Sequence, residues 1–108
     1  MDKFRVIITP DAAANIISVK DYIALTLKEP QTALKLVRAL REKIEALDSM
    51  PGAIALVPDE PWRSRGLRRI LYKNFYVYYY VDVEKKRVYV MNVIYARSDQ
   101  LNELLKYE

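Results

Sequence analysis

The residues in this sequence best suited to chemistry are basic and aromatic side chains in the stretch 62–97. Between Trp62 and Val81 there is no acidic residue. The positive charges in that interval are Arg63, Arg65, Arg68, Arg69 and Lys73. Seven of the nine tyrosines also lie in the stretch 62–97. Arginine beside exposed aromatic rings suits RNA phosphates and unstacked bases, and it equally suits a protein partner. The pattern alone does not decide between RNA and a protein as the partner.

The central part of the stretch predicts a strand with two different faces. Phe75, Val77, Tyr79 and Val81 alternate with Tyr76, Tyr78 and Tyr80, and period-two alternation puts the two sets on opposite faces. One face is expected to enter a core against helices, while the other shows a ladder of phenol rings beside a basic rim. The candidate RNA-binding residues are Arg65, Lys73, Tyr76 and Tyr78.

Composition narrows the chemistry that this chain can perform. It has no cysteine and no histidine, so thiolate metal sites and the commonest general base are excluded. We expect neither a metal nor a cofactor.

The net charge of +4 suggests an anionic partner, and the uneven placement of the charges matters more than their sum. The sequence has no signal peptide and no apolar run near the roughly 18 residues of a membrane span, which predicts a cytoplasmic protein without membrane association.

The N-terminal half predicts a strand and a helical hairpin that must support this stretch. Residues 3–9 are β-branched and aromatic, as in strands. Thr9-Pro10-Asp11 combines a capping residue, a first-turn proline and an acidic residue, so a helix should run from Pro10 to about Leu27. Its wide apolar face predicts burial on more than one side. A second helix, from Pro30 to about Ser49, carries one apolar stripe, and the short connection predicts an antiparallel hairpin.

The C-terminal half predicts a three-stranded antiparallel meander. Its strands are expected at residues 66–72, 75–81 and 87–95, followed by a short last helix. The proline-containing segment 53–65 is expected to be a loop, which Trp62 pins to the body of the protein. The predicted fold class is α+β, with residues 1–108 forming a single domain.

Six pieces of the sequence, in order, resemble the RelE/ParE superfamily, and together they cover essentially the whole chain. They are ITPDA, DYIALTL-KEPQTA, the L-x-x-MPG ending of the second helix, GLRRI, NFYVYYYVD and VYVMNVIYAR. The superfamily contains the toxins of bacterial type II toxin–antitoxin systems. The resemblance implies a small antiparallel sheet backed by a helical hairpin. It also implies a cognate antitoxin that wraps the toxin and through which operator DNA is bound.

The resemblance implies two kinds of target. RelE-like members cut messenger RNA in the ribosomal A site without metal, and this function is our first prediction. Cleavage through the 2′-hydroxyl needs a base, charge stabilisation at the phosphate and an acid. The matching positions imply Arg68, Arg69 and Arg97 as catalytic cations, and Tyr95 is a candidate base. A plainer role for Arg97 is an ion pair with Asp99 or Glu103.

ParE-like members instead poison DNA gyrase. The helical hairpin and the L-x-x-MPG ending are closer to these members, and Tyr76 stands where RelE-like enzymes carry an arginine. A third alternative is a non-catalytic relative that only binds an antitoxin.

Overall fold

A four-stranded sheet with a helical hairpin on one face forms the body of the protein. The computed structural model describes residues 3–98 and 100–106. The strands are β1 (Arg5–Ile8), β2 (Arg68–Tyr72), β3 (Phe75–Asp82) and β4 (Arg87–Tyr95), in the spatial order β1-β4-β3-β2. The helices are α1 (Pro10–Asp21), α2 (Pro30–Glu45) and α3 (Gln100–Leu105). The predicted α+β class and element order are confirmed.

The sheet is mixed, so the expected purely antiparallel sheet is wrong for β1. Strands β2, β3 and β4 form the predicted antiparallel meander, but β1 pairs with β4 in parallel, with Arg5 opposite Arg87 and Ile8 opposite Val90. After β1 the chain crosses the sheet through the helical hairpin and returns at the far edge as β2. Two reversals of direction then bring β4 back beside β1, and the two strands run the same way.

The start of α1 is fixed by the residues that predicted it. Thr9 caps the helix, since its Oγ1 accepts a hydrogen bond from the Ala12 N–H at 3.3 Å, and Pro10 occupies the first turn. The same hydroxyl donates to the Val90 carbonyl at 2.7 Å and so ties the helix to β4. After Asp21 the helix widens into a π-helical turn over Tyr22–Thr26, which shortens the α-helix relative to the prediction.

The face of the sheet that packs on the hairpin, here called the helix side, contains the larger core. Its buried members come from both helices and three strands, and Leu40 and Ile44 of α2 lie at its centre. The predicted stripe of α2 is therefore confirmed. Burial of α1 on more than one side is wrong: among the described residues no layer covers its far side, and Ile17 is 52% exposed.

The opposite face, here called the outer side, is also covered. The loop before β2 and helix α3 pack on it and enclose Tyr78 in a second buried cluster: Val57, Trp62, Leu67, Tyr78, Ile94 and Leu104. Trp62 is buried there, as expected of a residue that pins the loop. The predicted exposed phenol ladder is wrong, because Tyr78 is 0% exposed and Tyr76 and Tyr80 are half-buried. Trp62 and Leu104 pack against this cluster of rings and shield it from solvent.

Candidate functional site

Arg68 and Arg69, neighbours on β2, lie on opposite faces of the sheet. Arg68 pairs with Tyr79 on the helix side and donates a hydrogen bond to the Ile54 carbonyl. Arg69 pairs with Tyr78 on the outer side, where its Nη1 donates to the Tyr78 hydroxyl at 3.3 Å. Its guanidinium also lies 4.1 Å from the centre of the Tyr76 ring, within cation–π range. The two cations therefore do not form one phosphate clamp.

Tyr78 acts as a tether for the C-terminal helix. Its hydroxyl donates to Gln100 Oε1 at 2.8 Å, and Gln100 Nε2 donates to the carbonyls of Tyr95 and Ser98 at 2.7 and 2.9 Å. Burial raises the pKa of Tyr78, and the neighbouring Arg69 only partly opposes this effect. A buried, neutral phenol cannot stack on a base, so the structure gives Tyr78 a structural contact in place of the predicted contact with RNA.

Three of the predicted site residues meet at one end of the sheet, which we call the sheet end: Lys73, Tyr95 and Arg97. Lys73 lies in the turn between β2 and β3, while Tyr95 ends β4. The two segments are joined because the Ala96 N–H donates to the Asn74 carbonyl at 2.7 Å. The Tyr95 ring packs edge-on against Phe75, with centroids 5.2 Å apart, which places it on the helix side.

Arg97 is exposed in the turn after β4. Within residues 3–98 and 100–106, no hydrogen bond or ion pair engages its guanidinium. Asp99, the first of its two predicted partners, lies outside the described residues, and Glu103 pairs with Lys106 at 3.1 Å. Arg97 therefore presents its charge to solvent beside Lys73, as far as the described residues show.

An apolar groove opens beside the sheet end, between the hairpin and β3–β4. Its volume is about 830 Å³. Its only charged lining residues among those described are Lys35 and Lys73, both positive. The other lining residues are Ser18, Val19, Tyr22, Ile23, Leu27, Thr32, Leu36, Asn74, Phe75, Tyr95 and Ser98. Sequence reasoning missed this groove, although the wide apolar face of α1 was its signal: part of that face lines a groove, not a second layer of structure.

Arg65 lies away from the sheet end, on the outer side near Tyr80. Burial raises the pKa of the Tyr80 phenol, and the charge of Arg65 opposes that rise. Arg65 and Tyr80 also border a small cavity of about 60 Å³. The predicted RNA-binding set is thus divided, with Lys73 at the sheet end, Arg65 near Tyr80, and Tyr76 and Tyr78 between them.

The four candidate catalytic residues do not share one face of the sheet. Of the four candidate catalytic residues, Arg68 and Tyr95 face the helix side, Arg69 faces the outer side and Arg97 follows the last strand. Among the described residues, no group of three or more His, Cys, Asp or Glu side chains is placed to hold a metal ion. In the same part of the chain, no helix is both long and apolar enough to cross a membrane.

Comparison with known proteins shows which family has a similar sequence and which solved structures have a similar fold. The model of the ParE toxin family, from the parDE type II toxin–antitoxin system, matches residues 6–100. A chain of the chromosomal ParDE toxin–antitoxin system from P. aeruginosa has a similar fold, with a TM-score of 0.70 and 23% sequence identity over 88% of this chain and 98% of that one. A chain of the RelBE2 toxin–antitoxin complex from Mycobacterium tuberculosis gives a TM-score of 0.63 and 17% identity over 86% of this chain and 98% of that one. Nothing among the curated proteins matches the sequence.

Proposed function

The chain belongs to the ParE family of toxins from type II toxin–antitoxin systems, and we propose that it acts by binding its target, without cutting RNA. The target that we propose is DNA gyrase, which the family resemblance implies for ParE-like members. Ribosome-dependent cleavage of messenger RNA, our first prediction from the sequence, is the competing hypothesis that the experiment below tests.

The observation that carries this proposal is the separation of the predicted catalytic residues. General acid–base cleavage needs the base, the acid and the phosphate-binding cations within hydrogen-bond reach of one scissile bond. Here Arg68 is hydrogen-bonded to the Ile54 carbonyl on the helix side, while Arg69 stacks over Tyr76 on the outer side. Arg69 also donates to the hydroxyl of Tyr78, and burial raises the pKa of that phenol, which therefore keeps its proton. Tyr95, the candidate base, lies on the helix side, on the opposite face of the sheet from Arg69.

The surface that we propose for target binding is the sheet end. Lys73 and Arg97 extend from two adjacent turns and are both exposed. Exposed cations beside an apolar groove give a protein partner both electrostatic steering and an apolar anchor, which are the usual components of a protein interface. We therefore assign Lys73 and Arg97 to contact with the target protein.

As a type II toxin, the chain has a cognate antitoxin, and we propose that the antitoxin fills the groove beside the sheet end. An amphipathic segment would bury its apolar residues against Leu27 and Phe75, and acidic residues on its flank would meet Lys35 and Lys73. Occupation of the groove would cover the same edge that the target needs. Neutralisation by the antitoxin is then direct competition for one surface.

The experiment is induction of the toxin in cells without antitoxin, with pulse labelling of DNA and protein synthesis. We expect DNA synthesis to stop first, and purified gyrase with plasmid to accumulate double-strand breaks when the toxin is added. Rapid loss of protein synthesis with cleaved transcripts and intact chromosomes would overturn the proposal in favour of RNA cleavage. Normal growth at full induction would favour the non-catalytic relative.

A pair of variants tests the assignment of the sheet end. Lys73→Glu/Arg97→Glu should reduce toxicity at least tenfold, because reversing two interface charges turns attraction into repulsion. The matched control is Arg38→Glu/Arg41→Glu, which makes the same change of charge on exposed positions of α2. Growth inhibition is measured at equal toxin levels. Toxicity that survives the first pair, or is lost equally with both, would contradict the assignment.

A further inference from the structure

Two arginines lie side by side at the end of the sheet opposite to the sheet end. Arg5 of β1 and Arg87 of β4 are register partners on adjacent parallel strands. Their neighbours Val6 and Val88 pack into the helix-side core, so alternation places Arg5 and Arg87 on the outer side. Like charges at directly opposed positions of neighbouring strands are destabilising. The fold thus accepts a local repulsion at this position.

The described part of the chain neutralises this pair only in part. Within residues 3–98 and 100–106, no ion pair joins Arg5 or Arg87 to a carboxylate. Asp82 is opposite Arg87 on β3, and its negative charge acts on the Arg87 guanidinium. The carboxylate makes no direct ion pair with Arg87, and its Oδ1 accepts a hydrogen bond from the Lys85 N–H at 3.0 Å. Arg87 also contacts a neutral group, because the Tyr89 hydroxyl accepts from its Nη1 at 3.4 Å. One carboxylate, that of Asp82, faces two guanidinium groups in this row, so the row keeps a net positive charge that can attract an external anion.

The surroundings favour a phosphate backbone over single-stranded RNA or an acidic peptide. Tyr89 and Tyr80 are register partners in the next row of the sheet, and both are half-buried, which leaves less ring surface on which a base can stack. A peptide partner needs an apolar anchor, and the large groove among the described residues lies on the other face and at the other end of the sheet. Bidentate guanidinium groups match phosphate oxygens well.

We propose that Arg5 and Arg87, with the hydroxyl group of Tyr89 beside them, bind the phosphate backbone of duplex DNA without reading its sequence. The contact is separate from the operator binding that the family resemblance assigns to the antitoxin. On the proposed function, it would hold the toxin close to DNA while the sheet end engages gyrase. The contact with DNA itself does not depend on that target.

The test is the salt dependence of binding between the purified toxin and a fluorescently labelled 20-base-pair duplex, measured by anisotropy. Each phosphate contact contributes about 0.9 to the slope of log affinity against log salt. We expect Arg5→Gln/Arg87→Gln to lower that slope by about two contacts' worth and the affinity at low salt by at least tenfold. The matched control, Arg38→Gln/Arg41→Gln, removes the same charge from α2 and should leave the slope unchanged. An unchanged slope in the first variant, or an equal loss in the control, would overturn the proposal.

Further measurements distinguish duplex DNA from other sources of phosphate and check that each variant is folded. Operator and scrambled duplexes should bind equally, whereas a clear preference for the operator would overturn sequence-independent contact. Single-stranded RNA that binds more tightly than the duplex, and loses this advantage in the Arg5/Arg87 variant, would show that the surface binds RNA. Arg5→Lys/Arg87→Lys keeps both charges and should keep the slope, and thermal melts verify that each variant is folded. Free duplex is used without gyrase, so failure here is distinct from failure of the proposed target.

Discussion

The two faces of the sheet are closed in different ways. The helix side is sealed by two long helices whose stripes interlock with the strands, around Leu40 and Ile44. The outer side is sealed by an irregular loop and the six-residue helix α3, which depend on Trp62, Leu104 and the hydrogen-bonded chain from Arg69 through Tyr78 to Gln100. Because both faces are covered over the middle of the sheet, neither is an open platform for a ligand there. The candidate surfaces for partners are the two ends of the sheet, with Arg5 and Arg87 on the outer side of one end, and the groove beside the other end.

This difference predicts that the two faces contribute unequally to stability. Leu40→Ala should lower the free energy of unfolding by about 3 kcal/mol, within the usual range for a buried leucine whose cavity cannot collapse. Leu104→Ala should cost less than half as much, because the short α3 can shift to fill the space. Urea unfolding of both variants measures the two values.

Hydrogen exchange on the same variants locates the damage. Leu104→Ala should speed exchange in the loop before β2 and in α3 alone, while Leu40→Ala should speed exchange throughout the sheet and hairpin. Equal costs and equal exchange patterns would show that the outer side is as integral to the fold as the helix side.

The titration of adjacent tyrosines on β3 gives a second comparison of the two faces of the sheet. Tyr79 is buried on the helix side, where its hydroxyl donates to the Pro51 carbonyl at 2.9 Å, and burial raises its pKa to about 12. The folded state then holds this proton more tightly than the unfolded state does. The resulting stabilisation is complete below about pH 10 and is lost as the pH rises through 12, by about 3 kcal/mol in total.

The control for this loss is Tyr79→Phe. It should be less stable than the parent protein at pH 7, because the Pro51 carbonyl loses its donor. Between pH 10 and 12 its Tm should fall less steeply than that of the parent, although Tyr78 and Tyr80, whose pKa values are also raised, keep part of the slope. Parallel Tm curves for the two proteins over that range would be inconsistent with a titration at Tyr79.

Several parts of the fold could be predicted because their signals are local. Thr9 and Pro10 fix the start of α1, the stripe through Leu40 and Ile44 fixes the buried face of α2, and Trp62 marks a loop that must be pinned. The parallel pairing of β1 with β4 was not predictable in this way. It depends on which strand edge is open after the chain has crossed the sheet, and no residue of β1 encodes its partner.

The candidate site was harder to predict because its parts come from distant segments. The groove joins the C-terminal end of α1, the start of α2, the turn at Lys73 and the end of β4 at Tyr95. The burial of Tyr78 depends on a loop and a short helix without any periodic pattern. Period-two alternation already separates Arg68 from Arg69 on any strand, whereas the resemblance to RelE-like enzymes grouped them into one site.

That separation gives the smallest prediction. Arg68→Met should cost about 1 to 2 kcal/mol, because the Ile54 carbonyl then loses a charged donor in a partly buried position. Arg69→Met should cost about 0.5 to 1 kcal/mol, which is the worth of its contact with the Tyr76 ring, since Tyr78 keeps its bond to Gln100. The two variants remove the same charge from neighbouring positions. A difference in their urea midpoints therefore reflects only the face of the sheet on which each arginine lies. If Arg69→Met proves the costlier of the two, the outer side depends on Arg69 far more than its contacts indicate, and the cation would then be what holds α3 over the sheet.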